Sequence, residues 1–384
     1  MNLGTRNTPF YRRLTEAIAA LGGMHNAHLH LDRYGTLDDR YLAGVGHRTL
    51  ATSHVSLKKK HGLIHALHEG PAYEPADLRR RVGEALDAMV ACGTRRADTL
   101  VDCTADRVGL SALELLQDVQ RERRGAIDLR LGAYSPLGFR DDRPERWRVF
   151  EAGARAADFL AALPEADEVD DYPAHIGFEE HCRRMVALAR ELGKPLHVHT
   201  DQRNEPGERG TERLLEVLRE VGGLAPEHVG QRADEPAVWA VHAISPTTYD
   251  DARFDALVQG LVEQRVGVIV CPSAALGMRQ LRPLLTPTQN SMPRVLELCA
   301  GGVFVRLASD NVADICSPST TADLVDEVFV LSAAIRYYGV EVLARLAAGQ
   351  RLSAQELDAV REHLVHNEAE IAKALDARVD QAAP

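Results

Sequence analysis

The chain has 384 residues, of which 45% are hydrophobic and 26% are charged, and its formal net charge is −11. A chain of this size can bury a large core, either as one barrel or as two ordinary domains. The negative charge argues against nucleic acid or an anionic membrane as the main partner. The six cysteines lack the spacing of a zinc knuckle and no apolar run is long enough to span a bilayer, so we expect a cytoplasmic protein with reduced thiols.

Short apolar runs alternate with longer helical patterns from residue 24 onward, which is typical of βα units around a parallel sheet. Eight runs have the length and composition of strands, at residues 24–31, 97–103, 128–134, 158–163, 195–199, 237–243, 266–271 and 303–310. Helical periodicity is found at residues 111–124, 177–192, 211–221, 250–264, 292–300, 321–338 and 353–375. Eight strands with intervening helices predict an α/β protein with a closed (β/α)8 TIM barrel. We assign residues 1–23 to an N-terminal helical segment and residues 24–384 to the barrel.

The interval between the first two predicted strands, residues 32–96, is the longest stretch without a strand. It contains the sequence SLKKKHGLIHALHEG and a predicted helix at residues 75–91. So much chain above the mouth of a barrel suits either a segment that covers the substrate or an ordinary insertion, and the sequence leaves both interpretations open.

The first predicted strand, MHNAHLHLDR, carries His28 and His30 two positions apart. Side chains alternate along a strand, so both imidazoles point to the same face. Imidazole nitrogen is a good ligand for Zn²⁺ and Fe²⁺. The motif alone is weak, because a chain with 16 histidines contains such a pair by chance, and PLHVHTDQ supplies a second one.

Position along the strands makes the pattern more specific. His199 ends the fifth predicted strand, His242 lies near the end of the sixth, and Asp310 ends the eighth. The carboxyl ends of barrel strands meet at one mouth. We therefore predict one divalent metal ion, Zn²⁺ or Fe²⁺, bound by His28, His30, His199 and Asp310, with His242 beside it. Taken singly, each of these residues could instead be a buried core histidine or a turn residue.

The order of these residues resembles the amidohydrolase superfamily, and more closely its cytosine-deaminase-like branch. The likeness is carried by HLHLD, PAHIGFEEHCRRMVALARELGKPLHVHTD, SDNVADICSP and LVHNEAEIAKAL, and it spans roughly residues 24–375. The resemblance implies a metal-dependent hydrolase that acts on C–N bonds other than peptide bonds. Those deaminases usually carry a small β-sandwich built from both termini, which we expect to be absent here because His28 comes early in the chain.

One departure from the family concerns proton transfer. The family motif after the fifth strand is H-x-D-E, whose glutamate carries protons to the pyrimidine ring, whereas this chain reads HTDQ with Gln202 in that place. A carboxamide hydrogen-bonds but cannot carry a proton at neutral pH. Imidazolonepropionases, which open a cyclic amide, resemble this chain in having glutamine there. We therefore favour hydrolysis of a cyclic amide, lactam or amidine over deamination of a cytosine-like heterocycle, with a non-hydrolytic lyase or ligand-binding protein as a further alternative.

The resemblance also implies roles for the remaining residues. Asp310 would take the proton of the attacking water as well as bind the metal, and His242 would stabilise the oxyanion. Gln202 would hydrogen-bond the amide edge of the substrate. Asp314 would face a ring N–H, or would instead begin a helix. The expected partner is a small heterocyclic molecule, and the sequence is compatible with a homo-oligomer.

Overall fold

A computed structural model describes residues 6–382 of the protein, except residues 47, 49, 53–59, 61 and 279–289. Eight parallel strands form one sheet in the order of the chain, which confirms the predicted (β/α)8 barrel. The strands are β1 Met24–Leu29, β2 Thr94–Asp102, β3 Asp128–Tyr134, β4 Phe159–Ala162, β5 Leu196–Thr200, β6 Val238–His242, β7 Val266–Val270 and β8 Val305–Leu307. Every named strand in the described ranges belongs to this sheet, so those ranges contain no β-sandwich.

The barrel closes between its first and last strands through few backbone contacts. Leu29 forms a parallel bridge with Asp310, whose backbone N–H donates to the carbonyl oxygen of His28 at 2.9 Å. Deeper in the barrel, the amide of Asn26 accepts from the N–H of Ser309 at 3.0 Å and donates to its hydroxyl at 2.8 Å. Asp310 lies three residues beyond the end of β8, and the same contacts that close the barrel bring it beside His28.

Helices surround the barrel. Their bounds are α1 Pro9–Ala20, α2 Ile64–Glu69, α3 Pro75–Cys92, α4 Ser111–Glu122, α5 Pro144–Ala156, α6 Phe178–Leu192, α7 Gly210–Glu220, α8 Asp251–Glu263, α9 Pro272–Gly277, α10 Val295–Ala300, α11 Leu324–Ile335, α12 Val340–Ala347 and α13 Ala354–Ala382. None of these described helices is long and apolar enough to cross a membrane.

Local sequence signals set several helix ends. Asp250 caps α8 by accepting from the N–H of Arg253 at 2.8 Å, and such caps satisfy donors that the first helical turn leaves open. Gly93 ends α3 in the left-handed conformation, with φ at 97°, which glycine adopts without strain. Arg336 ends α11 in the same conformation, with φ at 55°, so this helix is shorter than the one predicted over residues 321–338.

The pattern of the sequence predicted most helices, but it missed α2, α5, α9 and α12. The buried side of α5 consists of Phe150 and the small residues Gly153 and Ala154, so its apolar stripe is narrow. The N-terminal segment contributes α1, whose Leu14 and Ile18 are fully buried in the core. The division of the chain at residue 23 stays a prediction.

The interval between β1 and β2 is only partly described. It contains short 3₁₀ turns at Leu31–Arg33, Asp39–Val45, Leu50–Thr52 and Pro71–Tyr73, followed by the predicted helix, which is α3. Most of the SLKKK sequence lies outside the described residues, although Lys60 lines the cavity described below.

Candidate metal centre

The carboxyl ends of β1, β5 and β6 and the loop after β8 converge on one buried group of side chains. This histidine cluster consists of His28, His30, His199, His242 and Asp310. The ligand atoms of His28, His30 and His199 lie within 4.8 Å of one another, and so do those of His28, His242 and Asp310. The structure therefore brings the four predicted ligands together and places His242 beside them.

His28 could hold a metal ion. Its side chain is fully buried, and neither ring nitrogen has a hydrogen-bond partner among the described residues. Burial, followed by the neighbouring imidazoles of His199 and His30, lowers the pKa of His28 well below its usual value, so the ring is neutral. A buried polar atom without a partner carries a penalty of about 1–3 kcal/mol. A metal ion that accepted the lone pair would remove this penalty at one of the two nitrogens.

The other two imidazoles of the predicted ligand set are oriented by different partners. Nδ1 of His199 lies 2.8 Å from the carbonyl oxygen of Ala162 and donates to it, which leaves the lone pair on Nε2 facing the cluster. His30 contacts the guanidinium of Arg33 through Nδ1, and its Nε2 lies 3.3 Å from Oδ1 of Asp310. Three imidazoles and one carboxylate form a donor set that fits Zn²⁺ or Fe²⁺.

The backbone at the strand ends is strained. Asp201, His242 and Asp310 have positive φ values of 59°, 81° and 60°. Residues other than glycine rarely adopt this conformation, which costs on the order of 1–3 kcal/mol and persists only where the surrounding structure enforces it. These residues follow or end strands β5, β6 and β8, so the strain is concentrated where the side chains must point into the barrel mouth.

A cavity of about 810 Å³ opens above the cluster and is the right size for a small organic molecule. His30, His199, His242 and Asp310 form part of its wall. The cluster is thus accessible from a pocket rather than sealed inside the core.

Gln202 also lines this cavity, and it is paired with a residue that the sequence analysis did not single out. Its Nε2 donates to Oε2 of Glu165 at 3.0 Å, and Glu165 lines the same cavity. Burial, followed by the carboxylates of Glu208 and Asp201, raises the pKa of Glu165 well above its usual value. A signal was present in the sequence, because Glu165 lies just after the mouth end of the fourth predicted strand, separated from it by one proline.

Two acidic residues near the predicted site accept hydrogen bonds from backbone N–H groups. Asp201 caps α7, where its oxygens accept from the N–H groups of Gly210 at 2.6 Å and Thr211 at 2.9 Å. Oδ1 of Asp314 accepts from the N–H groups of Cys316 at 2.8 Å and of residue 317 at 2.9 Å. No helix begins at Asp314, since this loop is irregular up to α11, so the helix-start interpretation is wrong. Its role in substrate binding stays a prediction.

A second buried network fastens the interval between β1 and β2 to the barrel. Nε2 of His68, on α2, lies 2.9 Å from Asp102 at the end of β2, and its Nδ1 lies 2.7 Å from Asp106. The hydroxyl of Tyr73 lies 2.9 Å from Asp102 and 3.1 Å from Asp32. We call these five residues the His68 clamp. Burial lowers the pKa of His68, but the hydrogen bonds to Asp102 and Asp106 outweigh it and raise the pKa to about 9.

The sequence is similar to those of two known proteins at low identity. No protein-family model matches the chain. An uncharacterised protein of Haemophilus influenzae is 25% identical over 295 residues, which cover 74% of this chain and 96% of that protein. A pterin deaminase of Rhizobium rhizogenes is 23% identical over 268 residues, which cover 69% of this chain and 55% of that protein.

Among solved structures, the chain is similar to the 5-methylcytosine deaminase of Klebsiella pneumoniae, crystallised with phosphonocytosine. The TM-score is 0.68 and the sequence identity 21%, and the match covers 89% of this chain and 82% of that one. The barrel expected from the resemblance to cytosine-deaminase-like amidohydrolases is therefore confirmed, and the chain shares its fold with that deaminase.

Proposed function

We propose that the protein is a metal-dependent hydrolase that cleaves a non-peptide C–N bond of a small nitrogen heterocycle. The observation that carries this proposal is His28, whose two ring nitrogens are buried without a hydrogen-bond partner among the described residues, inside a group of imidazoles that share one carboxylate. His28, His30, His199 and Asp310 would hold the ion, Zn²⁺ or Fe²⁺. The strained backbone and the cavity above the cluster support an active site rather than a structural metal site.

A bound divalent ion would lower the pKa of a water molecule and polarise the electrophile. The protein residues would handle the proton and the developing charge. Asp310 would accept the proton of the attacking water, because it lines the cavity beside His30. His242 would donate a hydrogen bond to the oxygen that becomes negatively charged.

The bond that is cleaved is either in the ring or to an exocyclic amine. Gln202 favours ring opening of a cyclic amide, lactam or amidine, because this needs less proton delivery to a ring nitrogen. Deamination of an aminated heterocycle is the second candidate, and one specific observation favours it: a carboxyl group, that of Glu165, lies 3.0 Å from the amide of Gln202. Deamination is also the activity named for two of the similar proteins, the pterin deaminase and the 5-methylcytosine deaminase.

The test is metal analysis joined to a substrate screen. The purified protein should hold close to one divalent ion per chain, and the identity of that ion would distinguish Zn²⁺ from Fe²⁺. Cyclic amides and aminated heterocycles should then be followed for substrate loss and for ammonia, since deamination releases ammonia and opening of a ring amide does not. A protein that binds no metal, or that binds heterocycles without consuming any of them, would contradict the proposal.

A further inference from the structure

We infer that Glu165 is the proton carrier of the reaction, in place of a glutamate at position 202, and that the enzyme therefore removes an exocyclic amino group. The inference rests on the proposed function and adds a residue and a substrate class to it. It would make Glu165 a catalytic residue that touches the ring nitrogen of the substrate.

The position of Glu165 follows from the sheet. Strands β4 and β5 are neighbours, and Ala162 pairs with Val198. Glu165 follows the carboxyl end of β4, and Gln202 follows that of β5, so the two side chains reach the same part of the cavity wall. Exchanging the residue types between these positions would leave one carboxyl and one carboxamide in the same hydrogen-bonded pair.

The hydrogen bond also decides which oxygen of Glu165 carries the proton. Nε2 of Gln202 is a donor, so Oε2 of Glu165 must accept. A protonated carboxyl group therefore holds its hydrogen on Oε1. That atom is shielded from solvent and has no hydrogen-bond partner among the described residues. Glu165 itself lines the cavity, so a turn of its carboxyl group would present this donor to a ring nitrogen that carries a lone pair.

The surroundings of Glu165 favour the protonated form of its carboxyl group. Burial and the carboxylates of Glu208 and Asp201 raise the pKa of Glu165, and they outweigh the opposing effects of Arg203 and of the backbone N–H of Gln202. Arg203 is shared, because its guanidinium lies 3.1 Å from Asp171 and 3.9 Å from Glu208. A carboxylic acid that is protonated near the working pH can act as a general acid.

The proposed reaction balances with water as the only co-substrate. The oxygen of water bonds to the amidine carbon, and one water proton passes to Asp310. Glu165 gives its proton to the adjacent ring nitrogen. The C–N bond to the exocyclic amine then breaks, and the amine leaves as ammonia with the proton from Asp310. The hydroxyl proton on the same carbon returns to Glu165, so the ring ends as a lactam and the enzyme is reset.

Other carboxylates near Gln202 are less suited. Both oxygens of Asp201 are used by the cap of α7. Glu205 lines the same cavity, and no contact with Gln202 is found for it among the described residues. Glu205 is therefore the natural competitor for the role, and its variant belongs in the test.

The experiment compares Glu165→Gln, Glu205→Gln and the exchanged double variant Glu165→Gln/Gln202→Glu. Ammonia release from cytosine-like and pterin-like amines is measured between pH 5 and 9, with metal content determined for each protein. Glu165→Gln should keep its metal and lose at least about 100-fold in kcat with little change in KM. It should also lose the alkaline decline that reports ionisation of the acid. The double variant should recover at least about tenfold over Glu165→Gln, since it returns a carboxyl group to the pair.

The outcomes separate the inference from the proposed function. Retention of kcat within about threefold in Glu165→Gln, or a comparable loss in Glu205→Gln with none in Glu165→Gln, would overturn the role of Glu165. Failure of the double variant to recover would do the same, provided that it folds and holds metal. A wild-type protein that opens cyclic amides but releases no ammonia would refute the inference and leave the proposed function standing. A wild-type protein without metal or hydrolysis would refute both.

Discussion

Two buried polar groups at the same end of the barrel use histidine in opposite ways. In the histidine cluster, four imidazoles share the single carboxylate of Asp310. In the His68 clamp, one imidazole lies between two carboxylates, those of Asp102 and Asp106. The pKa of His28 is lowered well below the usual value, whereas that of His68 is raised to about 9.

The difference teaches that the number of carboxylates around a buried imidazole decides its role. An imidazole among other imidazoles is neutral and keeps a lone pair, so it can bind a metal ion. An imidazole between carboxylates is charged and has both nitrogens engaged, so it holds structure together. Disrupting the histidine cluster should therefore affect metal binding and turnover, whereas disrupting the His68 clamp should affect stability.

The largest effect is expected from His199→Ala. This change removes a ligand whose orientation is fixed by the carbonyl oxygen of Ala162, and it should empty or weaken the metal site and reduce turnover by at least about 1000-fold. The matched control is His197→Leu, two residues earlier on β5. His197 is not part of the cluster, and its ring centroid lies 4.5 Å from that of Phe159. The control should keep its metal. Metal analysis and activity are compared for both variants, and full metal content in His199→Ala would rule out this ligand set.

His242→Asn should separate turnover from metal binding. Asparagine tolerates positive φ better than most residues, so the strained backbone at 81° should be kept. If His242 stabilises the oxyanion rather than holding the ion, kcat should fall about 100-fold or more while metal content stays near that of the wild type. Metal analysis and steady-state kinetics check this. Complete loss of metal would make His242 a ligand and move it into the set with His28.

The sequence predicted the histidine cluster and singled out Gln202, but it did not predict Glu165 or the His68 clamp. His28, His30, His199, His242 and Asp310 could be found because each lies at the end of an apolar run, and the barrel brings such ends together. The contact between Glu165 and Gln202 joins positions 37 residues apart through two loops. No periodicity encodes such a contact, so it becomes visible only once the fold places β4 beside β5.

The same reason explains why the sequence and the structure suggest different roles for Gln202. Read along the chain, a carboxamide in place of the family's glutamate suggests that proton transfer is lost. In the fold, the carboxamide of Gln202 donates a hydrogen bond to the carboxyl group of Glu165, which can carry the proton instead. The His68 clamp was missed in a similar way, because Asp32, Asp102 and Asp106 are ordinary acids in the sequence until α2 brings His68 between two of them.

His68→Gln should lower stability in a way that depends on pH. The pKa of His68 is about 9 in the folded protein and near 6.5 when unfolded, so the folded state binds the proton more tightly. The stabilisation, on the order of 3 kcal/mol, is fully present below pH 6.5 and is lost as pH rises through about 9. Melting temperatures of wild type and variant should differ most at pH 6 and converge by pH 10. A difference that stays constant across this range would show that His68 is not charged in the folded protein.

The smallest effect is expected from Gln202→Glu, which places a second carboxyl group beside that of Glu165. From the sequence alone, a glutamate here should raise deamination, because it restores the family's proton carrier. With Glu165 already 3.0 Å from this side chain, two carboxyl groups would share one proton, and one acid would remain available as before. Deamination should therefore stay within about tenfold of the wild type, with its alkaline decline shifted toward higher pH because the second carboxylate holds the shared proton more tightly.

Gln202→Met is the matched control, since it removes the hydrogen bond without adding a charge. Rate–pH profiles of the three proteins decide the matter: a large gain in deamination by Gln202→Glu would mean that Glu165 carries no proton in the wild type, and that position 202 is where the acid must be.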